Sequence, residues 1–368
     1  MRRFTLVFVV LAMAAVSASA QEQASWNLGG SFSMQPIVGY ASGFSYGSGT
    51  TLGLTVKAGT GRARAEASLE AAVLTGSSAQ LAWAIAASPY GRKDELLLPS
   101  GSSAGQDAAI AGRIRTLFAK LDFDWASFTA GRQVVNYGRG ALWSPTDVFT
   151  ELDLSGISPV RRGTDALRVV VPMGATGGFD AVLAPTASPG SGRYAARLGG
   201  LIGDLDAAVM AARDGAGKGW VFGADFKTDL VVGLYADAVY EEPDAGGWGT
   251  FRAAAGADWS IGDFILAAEY YCNGGGSSAD LLFPGTHNIY GSVTWTASEL
   301  LRMTLTVEGD VQSAAGTATL IAAVSAAQNA DVNAYLQAGN GSAGYGPGYG
   351  VGGAAWSAQA GLGAVVKF

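Results

Sequence analysis

The chain holds one histidine, His287, and one cysteine, Cys272. A lone histidine cannot build a multi-histidine metal centre. It could serve a nucleophile–histidine–acid arrangement, but no nucleophile motif stands beside it. Cys272 has no second cysteine to pair with and reads as a small apolar wall residue. Neither Gly274-Gly275-Gly276 nor the Gly/Tyr run between Gly339 and Gly353 matches a phosphate-cradling loop that opens a helix, so no cofactor is expected. What the chain has instead is charge at strand spacing. Arg62, Arg64, Glu66, Ser68 and Glu70 fall at every second position, as do Arg302, Thr304, Thr306, Glu308 and Asp310. Residues two apart share one face of a strand. A face this charged must meet water, and the chemistry it permits is electrostatic: attracting, ordering and passing ions and polar solutes.

The opposite faces are apolar. Ala63, Ala65, Ala67, Leu69, Ala71 and Val73 alternate with the first charged set, and Leu301, Met303, Leu305, Val307 and Val311 with the second. Hydropathy is positive on average at +0.24, with 54 glycines and only 14% charged residues. No stretch after residue 20 approaches the roughly 18 to 20 consecutive apolar residues of a membrane helix. High hydropathy without long runs is the pattern of a transmembrane antiparallel β-barrel, with lipid on one strand face and water on the other. A net charge of −7 argues against nucleic acid as a partner.

Counting alternating segments gives about sixteen strands, with eighteen as the alternative. Short connections alternate with mostly longer ones, as on the two rims of a barrel. Trp125 and Trp259 lie beside short turns, where an interfacial aromatic girdle belongs. Residues 34 to 50 read as a Gly/Ser-rich connection. Thr317 to Ala338 is alanine-rich with Leu320, Val324, Tyr335 and Leu336 at near-helical spacing, which predicts a helix or folded loop; an extra hairpin is the competing reading. Residues 1 to 20 have a positive start at Arg2 and Arg3, an apolar core and Ala18-Ser19-Ala20, and read as a cleaved export signal before a barrel over 21 to 368. No plug-sized domain is expected before the first strand, which disfavours energised uptake.

The tail WSAQAGLGAVVKF puts Trp356, Leu362, Val366 and Phe368 on one face of a final strand. It resembles the assembly signal of bacterial outer-membrane barrels, which implies outer-membrane lipid and the barrel-assembly machinery as partners. The alternation stops between 138 and 164. There, GRQVVNYGRGALWSPTDVF from Gly131 to Phe149 resembles the G-R-Q, aromatic-G-x-G, S-P-x-D-x-F grouping of porin-like outer-membrane barrels, at Gly131, Arg132, Gln133, Tyr137, Gly138, Gly140, Ser144, Pro145, Asp147 and Phe149. The resemblance implies a pore whose third external loop folds into the lumen, and porins of this kind often form homotrimers. A sixteen-stranded lumen is too wide for wall side chains to fill, so a loop must narrow it. This one carries Arg139, Asp147, Glu151, Asp153, Arg161 and Arg162. The nearby wall is basic, through Arg62, Arg64, Arg113, Arg115, Lys120, Arg132 and Arg168. The later wall is acidic, through Asp225, Asp237, Glu241, Asp258, Glu269, Glu308 and Asp310. Two opposed arcs would set a transverse field on passing solutes. The reading is a passive channel for small hydrophilic solutes or ions in the outer membrane. A non-conducting adhesin or structural barrel, and then a barrel enzyme, are the alternatives.

Overall fold

A computed structural model describes residues 25–40, 43–79, 101–104, 107–149, 152–153, 160–161, 163–186, 191–215, 219–244, 246–274, 285–340 and 356–368. The expected export signal lies outside these residues. The first strands are β1 (Ser25–Tyr40), β2 (Phe44–Gly59), β3 (Ala63–Gly76), β4 (Gly101–Ala104), β5 (Ala108–Asp122), β6 (Ser127–Gln133), β7 (Leu152–Asp153) and β8 (Val160–Arg161). Then come β9 (Thr164–Met173), β10 (Gly177–Ala184), β11 (Arg193–Ile202), β12 (Leu205–Asp214), β13 (Gly219–Asp229), β14 (Gly233–Glu242) and β15 (Thr250–Ile261). The last are β16 (Phe264–Asn273), β17 (His287–Thr296), β18 (Leu301–Asp310), β19 (Ala315–Ala327), β20 (Ala330–Asn340) and β21 (Trp356–Lys367).

β7 and β8 form their own ribbon, and β4 only extends the edge of β5 beyond β6. The other eighteen strands form a closed antiparallel barrel, because β1 pairs with β2 on one side and with β21 on the other. Closure pairs the described wall strands on both sides over most of their length, so their backbone polar groups are satisfied within the protein, as a bilayer demands. The alternation decides which way each side chain points. Leu52, Leu54 and Val56, Val293 and Trp295, and Leu362 and Val366 are exposed on the outer face. Asp225, Asp237 and Glu269 are buried on the inner one. The chain is thus a transmembrane β-barrel of the outer-membrane type.

The structure realises the higher strand number, and two expectations change. Thr317–Ala338 is neither helix nor folded loop but the hairpin of β19 and β20. Leu320 and Val324 are four apart on the outer face of β19, a spacing that period two also gives, and Tyr335 and Leu336 join the pattern only by counting through the turn; within each strand the period is two, with Val324, Val332 and Leu336 outward and Thr317, Asn333 and Tyr335 inward. Pairing on both sides overrides the helix preference of alanine. Residues 34 to 50 are likewise mostly strand. Pro36 interrupts only the ladder to β21, whose partners skip from Met34 to Ile37, while the β2 ladder runs through.

The short turns, such as 123–126, 203–204, 262–263 and 328–329, share one rim with both ends of the barrel; the longer connections share the other. Trp125 clusters with Phe123 and Phe128 on the short-turn rim, and Phe264 stacks on Trp295 at 6.1 Å on the same rim. That is an interfacial girdle. At the seam, Phe368 exchanges both backbone hydrogen bonds with Gly30, at 2.7 and 3.0 Å. Its ring covers Gly30, where any β-carbon would collide with it.

Candidate pore constriction

β6 stops after seven residues, and the chain turns into the lumen at Val134. The inward segment therefore begins four residues before the expected 138. Val135 and Tyr137 alternate like strand residues, but they leave the ladder to pack inside the barrel. With Phe149 they form an apolar cluster against inward-facing Ala166, Val182, Ala184, Ala195, Met210, Ala212, Val221 and Val239. The wall from β9 to β14 is small and apolar at this height, which a water-filled lumen would not require. It is a seat for the loop. Tyr137 meets Phe149 edge-on at 5.9 Å and carries the Arg197 guanidinium 5.7 Å above its ring. Burial lifts the Tyr137 phenol above its ordinary range, so it stays neutral. Thr146 is fully buried and lies over Gly223, where a β-carbon would approach its methyl to 3.2 Å.

The root of the segment is polar. Arg132 makes a two-pronged pair with Asp165 at 2.7 and 3.0 Å and donates to the Ile114 carbonyl at 3.1 Å. Gln133 donates to the Ala166 carbonyl at 3.2 Å. Asp147 meets Arg161 at 2.6 Å, closing the loop on itself.

The tip, Gly138 to Trp143, is held by carboxylates from the far wall. Asp237 of β14 accepts the Arg139 and Gly140 amides at 2.9 and 3.3 Å. Glu269 of β16 accepts the next three: Ala141 at 2.6 Å and Leu142 at 3.4 Å on one oxygen, and Trp143 at 2.6 Å on the other. Tyr235 donates to Glu269 at 2.8 Å. It does so across Gly256, the residue between them in the sheet, whose β-carbon would lie 2.4 Å from the phenol ring. The Arg139 side chain spans Asp225 at 2.9 Å and Asp206 at 2.7 Å, and Arg197 also holds Asp225 at 2.7 Å. Trp143 stacks on Tyr271 at 5.4 Å. The two motif glycines are steric requirements: a β-carbon on Gly140 would reach the Trp143 carbonyl at 1.7 Å, and one on Gly138 the Ser144 β-carbon at 2.0 Å.

The remaining expected residues fall in several places. Arg113 and Arg115 share Glu70 on the lumen wall, Arg115 at 3.4 Å. Arg168 clamps Asp180 with contacts of 2.6 to 3.1 Å. Arg64 and Lys120 share Asp122 at 2.9 and 2.8 Å, close to the short-turn rim. Arg62 is exposed on that rim itself, 3.6 Å from Asp124 of the neighbouring turn. Asp310, on the same face of β18 as Glu308, caps the 311–314 turn, its carboxylate accepting from the Gln312 amide and the Ser313 hydroxyl. Glu308 points inward beside Tyr290 and forms no ion pair among the described residues. The backbone of Asp153 pairs with Val160, while Glu151, Arg162 and the side chains of Asp153 and Trp356 lie outside the described residues. The arcs are therefore not two bare charged faces. The basic residues have local carboxylates, and Asp225, Asp237 and Glu269 are occupied by the loop. Between Glu308 and Glu70 the wall is mostly neutral and polar, with Thr319, Gln337 and Gln359 hydrogen-bonded in a row.

No known family model matches the chain, and no curated protein matches it in sequence. Solved structures do match it in fold. OccK7 (OpdD) of Pseudomonas aeruginosa aligns with a TM-score of 0.59 at 8% identity over 93% of this chain and 99% of its own. OprD from the same organism aligns with a TM-score of 0.59 at 9% identity, over 95% and 96%. OccAB4 of Acinetobacter baumannii gives 0.59 at 8% identity, over 95% and 99%. The chain is similar to these outer-membrane proteins in the whole barrel.

Proposed function

We propose that the protein is a passive channel for small hydrophilic solutes in the outer membrane, narrowed by the segment from Val134 to Phe149. The observation that carries this reading is that segment itself, seated on an apolar patch inside an otherwise polar lumen. An inert barrel has no need to bury Val135, Tyr137 and Phe149 in its interior. The loop occupies the wall of β9 to β17, so solutes pass along the opposite side, past β18 to β21 and β1 to β5. On that path each of two carboxylates is shared by two cations: Glu70 by Arg113 and Arg115, and Asp122 by Arg64 and Lys120. Among the described residues these clusters set four cations against two carboxylates and Glu308 of β18, a balance that favours anions and solutes with carboxylate groups.

Purified protein added to a planar bilayer tests the reading. Stepwise conductance with an anion-biased reversal potential in a salt gradient is expected. Silence from folded barrel would overturn it and leave a non-conducting surface barrel. Liposome swelling with neutral, anionic and cationic solutes of graded size then reports the solute class.

A further inference from the structure

Two of the buried wall carboxylates do something other than pair with cations. Asp237 and Glu269 take five consecutive backbone amides of the loop tip, from Arg139 to Trp143. Buried carboxylates without a cation are costly to keep and persist where their hydrogen bonds are needed in charged form. We propose that Glu269 is a latch: it positions the Gly138–Trp143 tip in the lumen, and its release gives the channel a second, wider conducting state. The proposal rests on the channel reading for its consequence, but the latch itself stands on geometry alone.

The tip and the root are held by separate means. The root has Arg132 with Asp165, Asp147 with Arg161, and the apolar cluster of Val135, Tyr137 and Phe149. The tip lies between Gly138 and Pro145; besides the two carboxylates it is held by the Arg139 side chain on Asp225 and Asp206 and by Trp143 with the partly buried Leu142, and none of these contacts is with a root residue. It can leave the wall without unpacking the root. Glu269 is also the residue whose chemistry cannot be imitated. Both its oxygens accept, so a glutamine there must turn its amide donor toward a backbone N–H in either orientation. Asp237 uses a single oxygen for both its amides, so an asparagine keeps the needed acceptor in one orientation.

Hydrogen–deuterium exchange on folded, detergent-solubilised protein reads the latch without needing conduction. Glu269→Gln is expected to speed exchange in a peptide over 138 to 144 by about tenfold or more, with the wall strands still protected. Asp237→Asn should have a smaller effect. Ala141→Pro provides a second variant: it deletes one latching amide from the loop side and leaves the barrel ladder untouched. In a planar bilayer, Glu269→Gln and Ala141→Pro should raise unitary conductance by roughly half or more, or add an upper level that the parent visits rarely. Unchanged protection of 138 to 144 in both variants would overturn the latch. Faster exchange with parental conductance would overturn its role in setting the pore. A parent that never conducts would instead remove the channel reading and leave the exchange result to judge the latch.

Discussion

At the scale of single residues, the interior is organised by side chains that lean across missing ones. Tyr235 reaches Glu269 only because Gly256 has no side chain, and Tyr335 lies in the same way over Gly361 in the neighbouring strand. Gly256→Ala places a methyl within 2.4 Å of the Tyr235 ring, and Tyr235 is buried with little room to retreat. The variant should lose about 1–3 kcal/mol of stability, the usual range for overpacking. A lowered urea midpoint in detergent would show it, whereas Gly178→Ala, whose nearest neighbour is a backbone oxygen at 3.6 Å, should change little. The pair at the root makes a second case. Arg132 and Asp165 are both nearly buried, so removing one takes the opposite charge away from the other. Asp165→Ala alone should destabilise by roughly 3–5 kcal/mol, while Arg132→Met with Asp165→Leu should recover most of that loss. The same midpoint measured on both variants distinguishes a burdened charge from simple lost packing.

Elements differ in how plainly the sequence declares them. Strands such as β18 were legible because one face is charged and the other aliphatic, so period two is visible in the letters alone. β19 and β20 were not. Their inward residues include Thr317, Thr319, Asn333, Tyr335 and Gln337 but also the apolar Ile321, amid many alanines, and alanine marks neither face. The difference can be tested by labelling. In a Cys272→Ser background, Leu336→Cys and Gln337→Cys stand on opposite faces of β20, with Leu336 among the exposed outer residues and Gln337 hydrogen-bonded to Thr319 in the lumen. In proteoliposomes a water-soluble maleimide should modify Gln337→Cys and spare Leu336→Cys. Equal labelling would contradict the hairpin. For the candidate constriction, the motif from Gly131 to Phe149 spans the segment that turns into the lumen, and Gly138 and Gly140 stand where a β-carbon cannot fit. Its partners were hidden for another reason. Glu269, Asp237 and Tyr235 lie about a hundred residues away, and only barrel closure brings them to the loop.

For the whole molecule, what counts is the charge left over after pairing. The sequence shows a basic early wall and an acidic later one, and suggests opposed arcs. Folding removes much of that contrast, since Asp225, Asp237 and Glu269 hold the loop and Arg132 and Arg168 meet carboxylates at Asp165 and Asp180. On the proposed solute path, the described residues place two cations on Glu70 and two on Asp122, with Glu308 as the opposing charge. Selectivity should then depend on these few groups and on the screening between them and a solute. The Debye length falls from about 10 Å at 0.1 M salt to about 3 Å at 1 M, so anion preference should be clear at low salt and weaken at high salt. Reversal potentials in a tenfold gradient should move toward neutrality when Arg113 and Arg115 are both replaced by alanine, and further toward anions in Glu70→Gln, which removes the carboxylate that the two guanidiniums share. Glu308→Gln should also shift the preference toward anions, because no cation among the described residues neutralises that carboxylate. If Glu70→Gln and the double arginine variant moved the potential in the same direction, the net charge of this cluster would not be what the passing ion senses.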